Sequence, residues 1–173
     1  VSSALAMGER VGADGKDMIT SVVAGYEVMC RVGDAFNRMP TASTAIRGFD
    51  PTGIIHPFGV VATAGKLMNL NVEQMTDALG LAGGSMGGGL LEYLLDGDWT
   101  YRWNPGRAAH NGIINVLMAE KGYKGPHAVF EGHWDDKGRY GALKAYAEDL
   151  SNADKLVEGL GSEWRILEMG FKY

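Results

Sequence analysis

Two polar segments of the chain concentrate the side chains that could perform acid–base chemistry. One reads RGFDPTGIIHPFG from Arg47 to Gly59, and the other reads DGDWTYRWNPGRAAHNG from Asp96 to Gly112. Each lies next to an expected helix start, where unpaired backbone N–H groups favour a bound anion. Taking a proton from a carbon next to a carboxylate needs a base of near-neutral pKa and cations that hold the carboxylate. We therefore expect the two segments to converge over one small acidic molecule.

Three residues in these segments are candidates for proton transfer. His56 has an ordinary pKa close to neutrality, so it is the candidate acid or base, unless it is a capping or surface histidine beside a proline. Tyr101 could donate a proton or a hydrogen bond, or it could pack its ring on a neighbouring tryptophan. Asp50 could act as a base, or it could be a turn residue, as aspartate before proline often is.

Three further residues are candidates for substrate binding. Arg102 could clamp a carboxylate through its bidentate fork, or form a surface salt bridge. Arg107 falls in the first turn of an expected helix, an unfavourable place for a cation, which indicates either a bound anion or a structural carboxylate nearby. Asn104 is a candidate ligand, although a helix cap is favoured at its position. His110 is expected on a helix in a structural role.

The sequence does not favour a metal or a nucleotide cofactor. His127 and His133 lie near Asp135 and Asp136, but no pair has a helical ligand spacing such as H-E-x-x-H. The glycine-rich stretch ALGLAGGSMGGGLLEYLLDG at 78–97 lacks the Gly-Lys-Ser/Thr that ends a phosphate-binding loop. A dinucleotide fingerprint would also need a preceding strand, whereas the residues before the glycines have a helical pattern.

The glycine-rich stretch is instead predicted to be a helix packed closely on its neighbours. Apolar residues follow helical spacing through it, at Val72, Met75, Leu79, Ala82, Met86 and Leu90. The glycines would gather on another face, where a neighbouring backbone can approach closely.

Composition narrows the class of protein. The 173 residues carry a net charge of -5, with 46% hydrophobic and 21% charged residues, so we expect a globular domain that does not bind nucleic acid. Cys30 is the single cysteine, which favours a reducing compartment, and a cytoplasmic location is expected. No apolar run approaches the length of a membrane span.

The spacing of apolar residues and the positions of proline, glycine and capping residues predict a mainly α fold. One helix is expected from Lys16 to Val32, and a long loop from Asp34 to Gly53. Asn71 and Gln74 resemble a capping box. The remaining expected elements are a helix opening at Pro57, one starting after Asn104–Pro105 and stopping at Gly122, helices over Lys137–Leu150 and Ser151–Leu160, and a strand over Glu163–Met169.

The two polar segments resemble motifs of the MmgE/PrpD family, which includes 2-methylcitrate dehydratases and cis-aconitate decarboxylases. The family patterns are R-G-F-H-P-T-G…P-F-G and D-G-x-W-T-K-R-L-H-P-G-W-A-A-H-x-G. The resemblance covers nearly the whole chain. It also includes the family patterns ELL.A…GYEV..R at Asp17–Arg31, LGL..EQM..ALG.AG at Leu70–Gly83 and G..GP..V.EG at Gly122–Gly132.

This resemblance implies an all-helical domain, a smaller α/β lid domain and an active site between them. Residues 1–160 would be part of the helical domain, and residues 161–173 the start of the lid. Activity would be directed at small di- or tricarboxylic acids, by dehydration, decarboxylation or epimerisation, without a cofactor. We expect the chain to be an internal fragment, inactive in isolation and prone to self-association, from a protein that forms a homo-oligomer such as a dimer.

Three positions depart from the family pattern. Asp50 and Asn104 stand where the family usually has histidine, and Tyr101 stands where it usually has lysine. His56 stands where the family tends to have glycine and could partly compensate. Either the parent protein is a lyase with altered site chemistry, or it is a degenerate member that only binds a carboxylate or has a structural role.

Overall fold

A computed structural model describes residues 1–36, 47–87, 89–133, 141–147, 152–168 and 170. Its α-helices within these ranges are α1 (Ser2–Val11), α2 (Gly15–Phe36), α3 (Pro51–Leu67), α4 (Val72–Ser85), α5 (Glu92–Asp96) and α6 (Thr100–Glu120). A π-helical turn at Leu143–Ala147 and 3-10 turns at Ala153–Leu156 and Arg165–Glu168 follow. The prediction of a mainly α fold is confirmed.

Helix α3 is the centre of this arrangement, because α1, α2, α4 and α6 all pack against it. It is apolar on nearly every face, which is typical of a helix surrounded by protein. Ile54, Phe58 and Val61 are fully buried along it. They join Phe36 of α2 and Val116 of α6 in one hydrophobic core. The polar start of α3 is therefore held in a fixed position beside its neighbours.

Glycines allow two neighbouring helices to approach α3 closely. A Cβ atom at Gly25 of α2 would lie 2.9 Å from the Gly59 carbonyl oxygen, and one at Gly59 would lie 2.8 Å from the Gly25 carbonyl oxygen. A Cβ atom at Gly112 of α6 would lie 2.5 Å from the Val60 side chain. No ordinary side chain fits at these distances, so the glycines determine how near α2 and α6 lie to α3.

The local predictions for three elements are confirmed. The predicted helix Lys16–Val32 lies within α2. The Asn71 side chain accepts a hydrogen bond from the Gln74 N–H at 2.9 Å, and the Gln74 side chain accepts one from the Asn71 N–H at 3.1 Å, which completes the capping box. Gly122 follows the end of α6 with a φ of +87°, a backbone conformation that favours glycine.

Helix α3 begins at Pro51, and the predicted start at Pro57 is wrong. Asp50 caps the helix, and its Oδ1 accepts a hydrogen bond from the Thr52 N–H at 3.0 Å. Pro57 lies inside α3 and lacks the N–H that would bond to the Gly53 carbonyl. That carbonyl accepts a hydrogen bond from the Gly87 N–H at 3.2 Å instead, so a neighbouring segment compensates for the internal proline.

Helix α6 also begins earlier than predicted. It starts at Thr100, whose N–H donates to Asp98 Oδ1 at 2.6 Å, so Pro105 falls inside the helix. Asn104 is therefore not a helix cap, and Arg107 does not lie in the first turn. Both corrections have the same cause. The Asp98 side chain accepts the hydrogen bond from the first N–H of α6, so the helix begins before the Asn-Pro pair.

The glycine-rich stretch is only partly helical. Helix α4 ends at Ser85 and Met86 is extended, so the prediction of one helix continuing through Leu90 is wrong. The predicted close approach is present: a Cβ atom at Gly80 would lie 2.5 Å from the Pro126 carbonyl oxygen. Because glycine is a poor helix former, the tertiary hydrogen bonds at Gly87 prevail over helix continuation.

The residues after α6 differ most from the prediction. The predicted helix Lys137–Leu150 is described only over residues 141–147, where Leu143 is fully buried. The predicted helix Ser151–Leu160 is a 3-10 turn at Ala153–Leu156 followed by further turns. The predicted strand Glu163–Met169 is wrong, because residues Arg165–Glu168 form a 3-10 turn.

Side-chain hydrogen bonds to α2 replace strand pairing in that last segment. The Arg31 guanidinium donates to the carbonyl oxygens of Glu158 at 2.6 Å and Glu163 at 3.1 Å. The Arg165 N–H donates to Glu27 Oε2 at 2.8 Å, and Glu27 Oε1 accepts from Arg31 Nε at 2.7 Å. A buried ion pair thus anchors residues 158–165 to α2.

The predicted loop after Asp34 is shorter than expected at both ends. Helix α2 continues to Phe36 and α3 starts at Pro51, and residues 37–46 lie outside the described residues. A single antiparallel bridge joins Phe49 to Leu90. None of the described helices has the length and apolar character needed to cross a membrane.

Candidate active site

The two polar segments meet where the start of α3 lies beside the first half of α6. The Asp50 N–H donates to the Gly89 carbonyl oxygen at 2.7 Å, and the Leu91 N–H donates to the Gly48 carbonyl oxygen at 2.9 Å. These bonds hold residues 89–91, which lead into α5, against the entry to α3. The two segments are therefore in contact, whereas their convergence over one small acidic molecule stays a prediction.

Asp50 and Asn104 form the buried polar centre of this region. Each is only 2% exposed. Asp50 Oδ1 accepts the helix-capping hydrogen bond, and its Oδ2 accepts one from Asn104 Nδ2 at 2.7 Å. Because both carboxylate oxygens are engaged, the geometry favours the turn-and-cap role of Asp50 over that of a free base.

Tyr93 of α5 is a residue of this centre that the sequence reasoning missed. It is 8% exposed, and its hydroxyl lies near the side chains of Asn104 and Asp50. Burial raises the pKa of the Tyr93 phenol, the hydrogen bond with Asn104 opposes this, and the hydrogen bond and charge of Asp50 reinforce it. The phenol therefore stays protonated at neutral pH. Its only sequence signal is that a tyrosine within an apolar helical pattern needs a partner for its hydroxyl when buried.

His56 lies inside α3 rather than at its end, so it is not a capping histidine. Burial lowers the pKa of the imidazole, and the negative charge of Asp50 partly offsets that effect. His56 is therefore neutral at neutral pH and able to accept a proton. It lines a cavity of about 200 Å³ together with Tyr26 of α2, Thr63 of α3 and Pro105 of α6.

Arg102 and Tyr101 border a different cavity of about 330 Å³, which Tyr93 also lines. The Tyr101 ring packs on Tyr93, with centroids 6.4 Å apart. The Arg102 guanidinium forms no ion pair with any residue that the structure describes, so the surface salt bridge is not observed. Arg102 and His56 thus line separate cavities rather than a common one.

Arg107 hydrogen-bonds to the backbone of the glycine-rich stretch. Its Nη2 donates to the Gly87 carbonyl oxygen at 2.9 Å. A Cβ atom at Gly53 would lie 3.1 Å from the same Nη2, so the guanidinium fits closely against the start of α3. The sequence offered a bound anion or a structural carboxylate as its partner. The observed partner is a backbone carbonyl, and the reason for expecting an anion no longer applies because Arg107 lies beyond the first turn of α6.

The remaining histidines lie outside this centre. His110 is exposed on α6, with its Nδ1 3.4 Å from Asn111 Oδ1. His127 Nε2 lies 3.1 Å from Oδ1 of the buried Asp77, which also accepts a hydrogen bond from Lys124 Nζ at 3.1 Å. Asp135 and Asp136 lie outside the described residues. Within the described ranges, no group of three or more histidine, cysteine, aspartate or glutamate side chains is placed to hold a metal.

The helical fold and these motifs define the class of protein: the chain belongs to the MmgE/PrpD family. The family model of the MmgE/PrpD N-terminal domain matches residues 1–149, which confirms the resemblance noted from the motifs. The chain is similar to a cis-aconitate decarboxylase of Aspergillus terreus, with 30% identity over 165 residues, covering 91% of this chain and 31% of the relative. A protein of the same name from Aspergillus terreus strain NIH 2624 / FGSC A1156 matches with the same identity and coverage. The chain thus spans about a third of the length of these curated relatives.

Proposed function

We propose that the protein is a cofactor-independent lyase that dehydrates a small di- or tricarboxylic acid, in the manner of a 2-methylcitrate dehydratase. Membership of the MmgE/PrpD family and the similarity to cis-aconitate decarboxylase support a reaction on a carboxylic acid. The observation that carries the proposal is the convergence of the two polar segments through the bond between Asp50 and Asn104. Decarboxylation or epimerisation of a related acid would use the same proton chemistry.

In this proposal, the substrate reaches from the cavity lined by Tyr101 and Arg102 to the separate cavity lined by His56. The neutral His56 there takes the proton from the carbon next to a substrate carboxylate. The electron pair of that C–H bond forms the new double bond, while the adjacent C–O bond breaks. Tyr101 donates a proton to the departing hydroxide, which leaves as water. Arg102 holds a carboxylate of the substrate, because its guanidinium offers parallel N–H donors to both oxygens. Asp50 and Asn104 orient the start of α3 for this chemistry.

Turnover by the full-length gene product tests the proposal. The protein is incubated with 2-methylcitrate, citrate and cis-aconitate, and the products are identified by NMR. General acid–base catalysis typically contributes 10²–10⁴-fold, so we expect His56→Asn to lower kcat by roughly 10²-fold or more. His133→Asn is the matched control, because His133 is exposed and borders neither cavity described above. Inactivity of the unmodified protein on every acid of the panel would contradict the proposal.

A second candidate function is carboxylate binding without turnover. Asp50 and Asn104 are hydrogen-bonded to one another at the two positions where the family pattern has histidine, and Tyr101 replaces the usual lysine. Because the side chains at positions 50 and 104 are hydrogen-bonded to each other, both family histidines must be restored together. We expect Asp50→His/Tyr101→Lys/Asn104→His to gain turnover if the protein is a degenerate member. Turnover by the unmodified protein would exclude this second candidate.

We also propose that the protein forms a homo-oligomer, with a dimer as the simplest case. Support comes from an exposed face of α6, where Trp103 and Ile114 are 66% and 40% exposed and His110 lies between them. Their spacing of seven and four residues places all three on one side of the helix. Light scattering coupled to gel filtration measures the mass in solution. A monomer at every concentration tested would refute this assignment.

A further inference from the structure

The cavity at the corner between α5 and α6 combines aromatic rings with a single cation. Its volume is about 330 Å³, at the lower end of the range of small-molecule sites. Tyr93, Trp99 and Tyr101 line it, together with Arg102 and Asp98. No assignment made above explains why these rings surround the arginine.

The charges of this cavity match one carboxylate. Arg102 has no ion-pair partner among the described residues, so its fork is available to a ligand. Asp98 is the other charged residue of the lining, and its Oδ1 already accepts the Thr100 N–H at 2.6 Å. One carboxylate on the guanidinium balances the site, whereas a second carboxylate inside the cavity would face Asp98 without a cation of its own.

The rings of this cavity match a flat ligand body. Trp99 is 85% exposed, which leaves the face of a large aromatic ring in solvent next to the guanidinium. Tyr93 and Tyr101 form a wall, with ring centroids 6.4 Å apart and planes inclined by 37°. Tyr93 is only 8% exposed, so packing against the protein interior holds its side of the wall in place. Aromatic rings favour offset-stacked and edge-to-face contacts with other flat groups.

We infer that this cavity binds a carboxylate attached to a flat, conjugated or aromatic body. The inference rests on the proposed function in taking Arg102 as the residue that holds a substrate carboxylate, and it limits the ligand in this cavity to one carboxylate. The carboxylate would lie on Arg102, and the flat body would cover Trp99 and contact Tyr101.

Isothermal titration calorimetry of the 173-residue chain with four matched probes tests this inference. Cinnamate carries one carboxylate on a conjugated ring. Cinnamamide removes the charge, cyclohexanecarboxylate removes the flat ring, and tricarballylate adds two carboxylates. We expect cinnamate to bind most tightly, with each other probe weaker by about tenfold or more, as expected for loss of a charge-assisted hydrogen bond or an aromatic contact.

Substitutions of cavity residues test where cinnamate binds. Arg102→Gln and Trp99→Leu should each weaken cinnamate binding by about tenfold. Lys121→Gln, an exposed cation at the end of α6, and Trp103→Phe, an exposed ring that does not line the cavity, are the matched controls and should leave it unchanged. Loss of binding in Arg102→Gln alone would overturn the aromatic part of the inference.

The outcomes separate this inference from the proposed lyase function. Tighter binding of tricarballylate than cinnamate would overturn the inference and leave a lyase of polycarboxylates standing. Absence of binding by every probe, or self-association that alone covers Trp99, would also overturn it. Binding of cinnamate that depends on Arg102, together with inactivity on the whole acid panel, would support the inference and contradict the lyase.

Discussion

The bond between Asn104 and Asp50 offers the most direct test of how the site is built. Asn104→Ala removes a 2.7 Å hydrogen bond to a carboxylate whose residue is only 2% exposed. A hydrogen bond to a charged group contributes about 1.5–3 kcal/mol, and water cannot readily replace the lost donor at this depth. Adding a small cavity, we expect the free energy of unfolding to fall by about 2–4 kcal/mol. The melting temperature should fall by roughly 9 °C, taking the middle of the usual range for this chain length.

A double-mutant cycle isolates the contact from the helix cap. Asp50→Ser retains a good capping side chain but is too short to reach Asn104, so it removes the same contact from the other side. Urea unfolding followed by circular dichroism gives the free energy of each variant. We expect a coupling energy between positions 50 and 104 of about 1.5–3 kcal/mol. Asn111→Ala, with only a 3.4 Å contact to Ser85, should change stability by less than about 0.5 kcal/mol. Additive effects of the two single changes would refute the reasoning.

Three further predictions address the scaffold. Gly25→Ala places a methyl group against the backbone of α3 and should lower the free energy of unfolding by about 1–3 kcal/mol. Gly15→Ala, where a Cβ atom meets nothing within 4 Å, should be neutral or slightly stabilising. Equal urea midpoints for the two variants would contradict this prediction. Arg31→Met leaves the buried Glu27 carboxylate without its ion pair and should lower the free energy of unfolding by about 3–5 kcal/mol, with faster proteolysis of residues 152–168. Lys155→Met, which removes an exposed ion pair, should lower it by less than about 1 kcal/mol. Similar losses in the two variants would count against the anchoring role of Arg31. Burial raises the pKa of Asp77, but hydrogen bonds from a histidine, a lysine and a backbone N–H outweigh it and lower the pKa overall. A carboxyl with a lowered pKa stabilises the fold above its unfolded value of about 3.9, and that contribution is lost as the pH falls through the folded value. Asp77→Asn should therefore flatten the acid limb of the unfolding curve below a pH of about 4, and an unchanged limb would refute the assignment.

Local signals in the sequence were sufficient for much of the helical scaffold. The capping box at Asn71 and Gln74 and the stop at Gly122 depend on neighbours within a few residues, so they were predictable from spacing alone. The motif segments were also recognisable, because family resemblance is carried by residue order.

The errors arose where a distant part of the chain supplied the missing partner. Pro57 resembles a helix start, but the Gly87 N–H satisfies the carbonyl that this proline leaves free. The segment after Glu163 has the composition of a strand, but Arg31 and Glu27 bind its backbone from α2. Neither hydrogen bond can be inferred from residues close in sequence.

The sequence by itself determined the family, the mainly α character and the candidate residues at 50, 56, 101, 102, 104 and 107. The tertiary structure alone decided how these residues are grouped. It paired Asp50 with Asn104, placed Tyr93 in the cavity of Tyr101 and Arg102, and put His56 in a different cavity. The physical reason is that helix and turn signals act over a few residues, whereas burial and hydrogen bonding between α3, α5 and α6 depend on which backbones the glycines allow to meet.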